Sequence, residues 1–212
     1  MSRNFIFILI LLLSLAFIGS SFLLRKGKQS VLTSEERTFL VNLLENSLTK
    51  FERCVADLTE EQLAFRPAKN QWTIAECIEH ICLAELRFPQ IVGEELQKPA
   101  EPARRKKIKV NNEQIIRRLT NRRWRAKAPE IFTPSGRFAT IEDAKNTFRN
   151  QRLQTINYVL TTNDDLRNHF WRHPATGVVD LYQTMVLMSA HLERHLAQIE
   201  EIKAYKSFPT KK

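Results

Sequence analysis

Glycine is scarce in this chain, 5 residues in 212, and cysteine scarcer still, at 3. With 43% hydrophobic and 26% charged residues, so little glycine favours helix over sheet, and the length suits one globular domain with an ample core plus an extra piece at one end. Three is an odd number of cysteines. Cys77 and Cys82 lie five apart in what reads as one helix and point in diverging directions, so neither a disulfide framework nor a cysteine zinc knuckle follows. The thiols read instead as small buried apolar groups. Internal repeats are absent. Acidic residues are outnumbered: 33 Lys and Arg against 23 Asp and Glu give a net charge of +10. That balance suggests an anionic neighbour, a lipid surface or a nucleic acid, without choosing between them.

Charge is missing altogether from Phe5 to Leu24, with Arg3 before the run and Arg25, Lys26 and Lys28 after it. About 20 apolar residues cross a hydrocarbon core of roughly 30 Å, so the run predicts a transmembrane helix. A secretory signal is the alternative, with Gly19 and Ser21 small enough to flank a cleavage site, though there is no Ala-x-Ala. No cysteine follows, which excludes a lipoprotein anchor. The more basic downstream flank places the remainder in the cytoplasm, and export after cleavage is the rival topology. Residues 1–30 are thus expected to form a membrane anchor or signal segment, 31–206 a helical domain, and 207–212 a basic tail.

Helical periodicity dominates the rest. A first long helix opens at Thr33 or Ser34 and buries Phe39, Leu40, Leu43, Leu44, Leu48, Phe51 and Val55. Thr59 and Gln62 make a capping box for a short turn. Thr73 and Glu76 cap a second long helix whose face is Ile74, Cys77, Ile78, Ile81 and Cys82; Pro89 should end or kink it, although the pattern revives through Ile91 and Val92 to Leu96. A third, capped by Thr140 with Asp143, buries Ile141, Ala144, Phe148, Ile156, Val159 and Leu160. Residues 163–179 read as loop, and a fourth helix runs from Asp180 to about Tyr205. Between the second and third lies a basic tract with eleven Lys and Arg from Arg104 to Lys127, of which Asn112 to Trp124 is a helix candidate with Ile115, Ile116 and Leu119 as its stripe. It is a solvated connection or an attachment to an anionic leaflet. Nucleic acid is not expected there, because Trp124 is the one interleaved aromatic and no binding module is recognisable. The sum is an all-α, up-down four-helix bundle with a long basic crossover between its second and third helices.

His191 and His195, four apart on the fourth helix, share the apolar face of Leu181, Met185, Met188, Ile199 and Ile202. Inward imidazoles are costly to desolvate unless something takes their lone pairs, and a divalent metal does so; core histidines bonded to backbone or to each other are the alternative. His80 is a candidate third inward imidazole. The zinc-protease signature is excluded, because Leu192 stands where its Glu follows the first His and Glu193 projects roughly 200° away.

Four strings in this order and spacing resemble the DinB-like, or YfiT-like, metalloenzymes: Gln71 to Ile81, Pro134 to Phe138, His173 to Gly177, and His191 to Ile199. The resemblance covers roughly Glu35 to Tyr205. It implies a four-helix bundle, often dimeric, with a divalent metal held by His80, His191 and His195, a small-molecule substrate, and thiol-dependent transfer using a low-molecular-weight thiol. Three imidazoles leave a position on the metal open, and zinc or nickel suits them, with iron, manganese and cobalt also admissible. Glu76 and Gln198 are within reach as hydrogen-bonders to the site, Glu76 having a plain cap role as its alternative. His173, Trp72 and Tyr182 are candidates for its mouth. A non-enzymatic, membrane-tethered binding or stress-response bundle is the competing reading of the whole.

Overall fold

Each long helix begins where a hydroxyl or carboxylate precedes an apolar stripe. In the computed structural model, which describes residues 31–123 and 127–211, Thr33 accepts the Glu36 N–H while a Glu36 carboxylate oxygen accepts the Thr33 N–H, which opens α1 (Ser34–Cys54). Thr59 and Gln62 repeat the arrangement for α2 (Glu60–Ala64), and Thr73 and Glu76 for α3 (Ile74–Leu96). Asn111 and Gln114 do so for α4 (Asn112–Thr120). Thr140 accepts the Asp143 N–H to start α5 (Ile141–Thr161). Two short strands, β1 (Phe170–His173) and β2 (Gly177–Asp180), precede α6 (Leu181–Lys203), which Asp180 caps. Thr73→Ala, which removes one such cap, is expected to cost about 1 kcal/mol in a chemical denaturation series.

The four long helices, α1, α3, α5 and α6, form the bundle, with α1 and α3 each packed on both α5 and α6. Cross-links fix the directions. Ser47 to Ser189, Lys50 to Glu193 and Cys54 to Glu200 advance together, so α1 and α6 are parallel. Phe51 against Phe148, and Ser47 with Arg152, run in opposite senses, so α5 is antiparallel to α1. His80 beside His195, with Phe88 beside His191, makes α3 antiparallel to α6. The order is therefore up, down, down, up, which corrects the expected up-down alternation. The crossover, residues 97–140, returns the chain along the whole bundle before α5 starts, so α5 runs parallel to α3.

At the centre a polar network spans all four helices. Arg152 of α5, 0% exposed, donates Nε and Nη2 to the two carboxylate oxygens of Glu85 on α3, both at 2.7 Å. Its Nη1 donates to Ser47 Oγ of α1 at 2.5 Å, and that hydroxyl lies 3.4 Å from Ser189 Oγ of α6. Apolar layers above and below include Leu40, Leu44, Ile78, Phe148, Leu187 and Ile199, all fully buried. Cys77 and Cys82 are buried among them and burial raises both thiol pKa values, in keeping with an apolar role.

Several local expectations are corrected. Pro89 does not end α3, which runs on to Leu96 as the apolar pattern through Ile91 and Val92 suggested, with Phe88, Ile91 and Val92 buried around it. Leu160 and Phe39 face outward, 50% and 40% exposed. The stretch expected as loop before α6 contains the hairpin of β1 and β2, in register from Phe170 opposite Asp180 to His173 opposite Gly177. Gly177, at φ 79°, takes the left-handed turn conformation there, and Trp171 Nε1 donates to Thr184 Oγ1 at 2.7 Å, tying the hairpin to α6. The C-terminal stretch folds back: Phe208 meets Phe65 edge-on, and Gln62 Nε2 donates to the Pro209 carbonyl.

The basic crossover is structured rather than simply solvated. A 3-10 helix, Pro102–Lys107, leads into α4, whose Ile115 and Leu119 pack on α6. Arg194 of α6 donates Nη1 to the carbonyls of Leu119 and Asn121, at 3.0 and 2.7 Å, closing the end of α4. Among the described residues no helix is long and apolar enough to cross a membrane. The N-terminal hydrophobic helix expected within residues 1–30, and Trp124, lie outside the described residues.

Candidate metal centre

Helical spacing puts His191 and His195 on one face of α6, and the antiparallel neighbour α3 brings His80 against them. The ring centroids of His80 lie 5.1 Å from His191 and 4.4 Å from His195, and the latter two are 4.6 Å apart. One ligand atom from each of the three falls within 4.8 Å of the others. His80 and His195 are buried, and His191 is partly open to solvent.

Two rings are oriented by acceptors on their far side. His80 Nδ1 donates to the Phe132 carbonyl at 2.7 Å, and His195 Nδ1 donates to Gln198 Oε1 at 3.0 Å. A carbonyl oxygen only accepts, so each Nδ1 carries the proton and each Nε2 presents a lone pair to the centre. His80 Nε2 stands 3.2 Å from His191 Nε2. Two nitrogens each about 2.0–2.1 Å from one tetrahedral ion lie about 3.3 Å apart, so this pair suits a shared cation and equally a ring-to-ring hydrogen bond from His191, the third ligand atom lying within 4.8 Å.

Electrostatics keep the rings neutral. Burial lowers the pKa of His80, against the Phe132 bond that raises it. His191 is held well below the ordinary imidazole value by burial, then by His195 and His80; His195 is lowered likewise by burial and His80, with Gln198 opposing. Burial takes His173 down to about 4. Between neutrality and about pH 5 the unfolded chain takes protons that these folded imidazoles refuse, so stability falls as pH drops below the ordinary value of 6.5. Asp180, raised by burial to about 6, opposes part of that loss, since it gains a proton on folding where the imidazoles lose theirs. A thermal melt in chelator is expected to show a lower Tm at pH 5.5 than at 7.5; a flat profile would remove the four-imidazole account.

Glu79, next to His80, is buried and was not legible as a site residue. Its carboxylate accepts the N–H groups of Ser135, Gly136 and Arg137, each at 3.0 Å. Burial alone would raise its pKa, but those three backbone bonds outweigh burial and lower it. Gly136, at φ 74°, allows the turn that aims three N–H groups at one anion. The same loop carries Phe132, so Glu79 fixes the carbonyl that orients His80. The signal available in the sequence was a Ser-Gly turn with no acceptor of its own.

The other candidates separate cleanly. Gln198 reaches His195 as expected. Glu76 does not reach the cluster: it caps α3 and receives Arg66 Nη1 and Nη2 at 2.9 and 2.8 Å. Trp72 covers the site, its ring 4.8 Å from His80 and 6.2 Å from His195. His173 Nδ1 accepts the Ala175 N–H and so closes the hairpin turn, its ring lying against Trp171. Tyr182, nine residues before His191, sits under the Arg167 guanidinium at the far end of α6. Phe88 lies edge-on to His191, and beyond it α3, α5 and α6 border a half-open apolar pocket of about 250 Å³ lined by Pro89, Val92, Thr155, Met185 and Met188.

A four-helix bundle with three convergent imidazoles from two antiparallel helices defines the class of protein. The chain belongs to the DinB superfamily, whose family model matches residues 43–199. It is 22% identical over 146 residues to the uncharacterized protein YuaE of Bacillus subtilis (strain 168), covering 69% of this chain and 86% of that one. Its fold is similar to that of YfiT from Bacillus subtilis, described as "a probable metal-dependent hydrolase with an unusual four-helix bundle topology". That match has a TM-score of 0.50 at 14% identity and covers 82% of this chain and 89% of the other.

Proposed function

We propose that the chain is a divalent-metal-dependent enzyme acting on a small molecule, with His80, His191 and His195 as its protein ligands. The observation that carries this reading is the convergence of lone pairs at Nε2, with Nδ1 of His80 and His195 already committed to Phe132 and Gln198. A structural site is filled by four protein ligands; three leave a position for substrate. Zinc or nickel suits an all-imidazole set, and iron, manganese or cobalt accepts the same donors. Bound there, such an ion supplies Lewis acidity and draws the pKa of a water or a low-molecular-weight thiol toward neutrality.

The protein's own residues do the rest. Phe132 and Gln198 hold two rings in one tautomer, Trp72 and Phe88 shield them, and His191, the least buried of the three residues, marks the side of approach. Within this reading the finer assignment is transfer of a low-molecular-weight thiol to a small electrophile, supported by the family resemblance; hydrolysis, as described for YfiT, uses the same open position. Purified full-length chain is expected to carry about one divalent ion by elemental analysis. Turnover with a panel of thiols and activated esters then tests the chemistry: full occupancy with no turnover on any of them would leave a non-enzymatic metal-binding bundle. Gln198→Ala is expected to weaken metal affinity about 10- to 100-fold by freeing the His195 ring, read by competition with a metallochromic chelator.

A further inference from the structure

We propose that the outer face of the crossover, from the 3-10 helix Pro102–Lys107 along α4, lies against an anionic lipid leaflet. Lys106, Lys107, Lys109, Arg117, Arg118 and Arg123 are all exposed on this strip. The carboxylates within residues 101–123 are Glu101, which pairs with Arg104, and Glu113. The strip is rigidly mounted. Gln183 Nε2 donates to the Val110 carbonyl near the start of α6, and Arg122 binds Glu201 near its end. Those two anchors are eighteen residues apart on α6, about 27 Å, so α4 and its flanks lay a basic band along most of the bundle.

The choice of lipid follows from where the chain leaves this band. Arg105 Nη2 donates to the Arg167 carbonyl at 2.5 Å, and Arg167 pairs with Glu36 in the first turn of α1. Val31 therefore joins the bundle at the end where the 3-10 helix sits. By sequence, residues 25–30 alone separate it from the uncharged run Phe5 to Leu24, at most about 25 Å of chain. An apolar run held in a bilayer keeps the band within reach of the headgroups, and the tether makes modest attractions sufficient. A nucleic acid would be served by a series of stacking rings, and by sequence residues 101–127 carry a single aromatic, Trp124. The proposal does not depend on the histidine cluster.

The test is residue-resolved acylation of lysines on the full-length chain reconstituted into vesicles of phosphatidylcholine alone or with phosphatidylglycerol. Lys106, Lys107 and Lys109 are expected to become at least about threefold less reactive on the anionic vesicles, and to recover in about 0.5 M salt. Lys145, on α5 and across the bundle from the helix that carries α4, is expected to be unchanged. A Lys106→Glu/Arg117→Glu/Arg118→Glu chain should lose the protection at Lys107 and Lys109. Equal reactivity on both vesicles, an equal fall at Lys145, or stronger protection by duplex DNA than by anionic vesicles would each overturn the proposal.

Discussion

His191→Ala is expected to lower divalent-metal affinity on the order of 10³-fold, and to remove the thermal stabilisation that zinc gives the parent chain. His191 is the least buried of the three residues, and its Nε2 faces that of His80 at 3.2 Å. Removing it leaves two Nε2 donors that still point inward with nothing between them, a poorer site than three. At a zinc concentration about 100 times the dissociation constant, the parent gains about 2.7 kcal/mol from binding; the variant should gain almost none. Elemental analysis and paired melts with and without zinc measure both effects. His173→Ala serves as the control, because that ring is committed to the hairpin turn through Ala175 and lies outside the three-ring cluster. Unaltered metal content in His191→Ala would sink the assignment, whatever happens to turnover.

The three histidines were legible because each lies on an apolar stripe, where an imidazole conflicts with its neighbours unless it has a partner. Glu79 was not legible for a related reason. It sits among inward residues too, but its partners are backbone N–H groups of a turn more than fifty residues away, and backbone donors leave no trace in residue identity. Phe132 contributes only a carbonyl, which any residue has. Glu76 carried two readings, and the cap is the one the structure shows: one turn before His80 is near enough in helical terms, yet the Thr73 N–H and Arg66 hold its carboxylate at the start of α3.

For the fold, periodicity and caps located the start of every long helix to within a residue or two, since both are local properties of the chain. Direction is not local. A stripe has the same period whether a helix runs up or down, and only the length of the connection before it constrains the choice. The crossover before α5 is long enough for a parallel return, and Glu85 meeting Arg152 records that it was taken. The hairpin before α6 escaped notice because four-residue strands show too little alternation to stand apart from loop, the pairing of Phe170 with Asp180 being visible only in three dimensions. Leu160 and Phe39 fit an apolar period but lie at its edge, and bundle packing had no room for them.

Arg152→Ala is expected to destabilise the chain by about 3–5 kcal/mol, the largest loss from a single substitution away from the histidines. The guanidinium is fully buried, with its two donors to Glu85 and a third to Ser47, so truncation leaves an uncompensated carboxylate in the core as well as a cavity. The pair need not be net stabilising for this to hold. Taking two charges out of water is expensive, and an Arg152→Met/Glu85→Leu chain, which removes both and keeps volume, is expected to lie within about 2 kcal/mol of the parent or above it. Urea denaturation of the two single variants and the double gives the coupling. What the charges then contribute is specificity of arrangement: Arg152 contacts α1 and α3 from α5, and Ser47 extends the network to α6, so one register alone satisfies every donor. The double variant should therefore melt less cooperatively and bind metal more weakly even where its stability is kept, because α3 and α6 must hold register for His80 to meet His191. A single variant as stable as the parent would show that the buried carboxylate finds another partner, and a double variant with unchanged metal affinity would show that apolar packing alone sets the register.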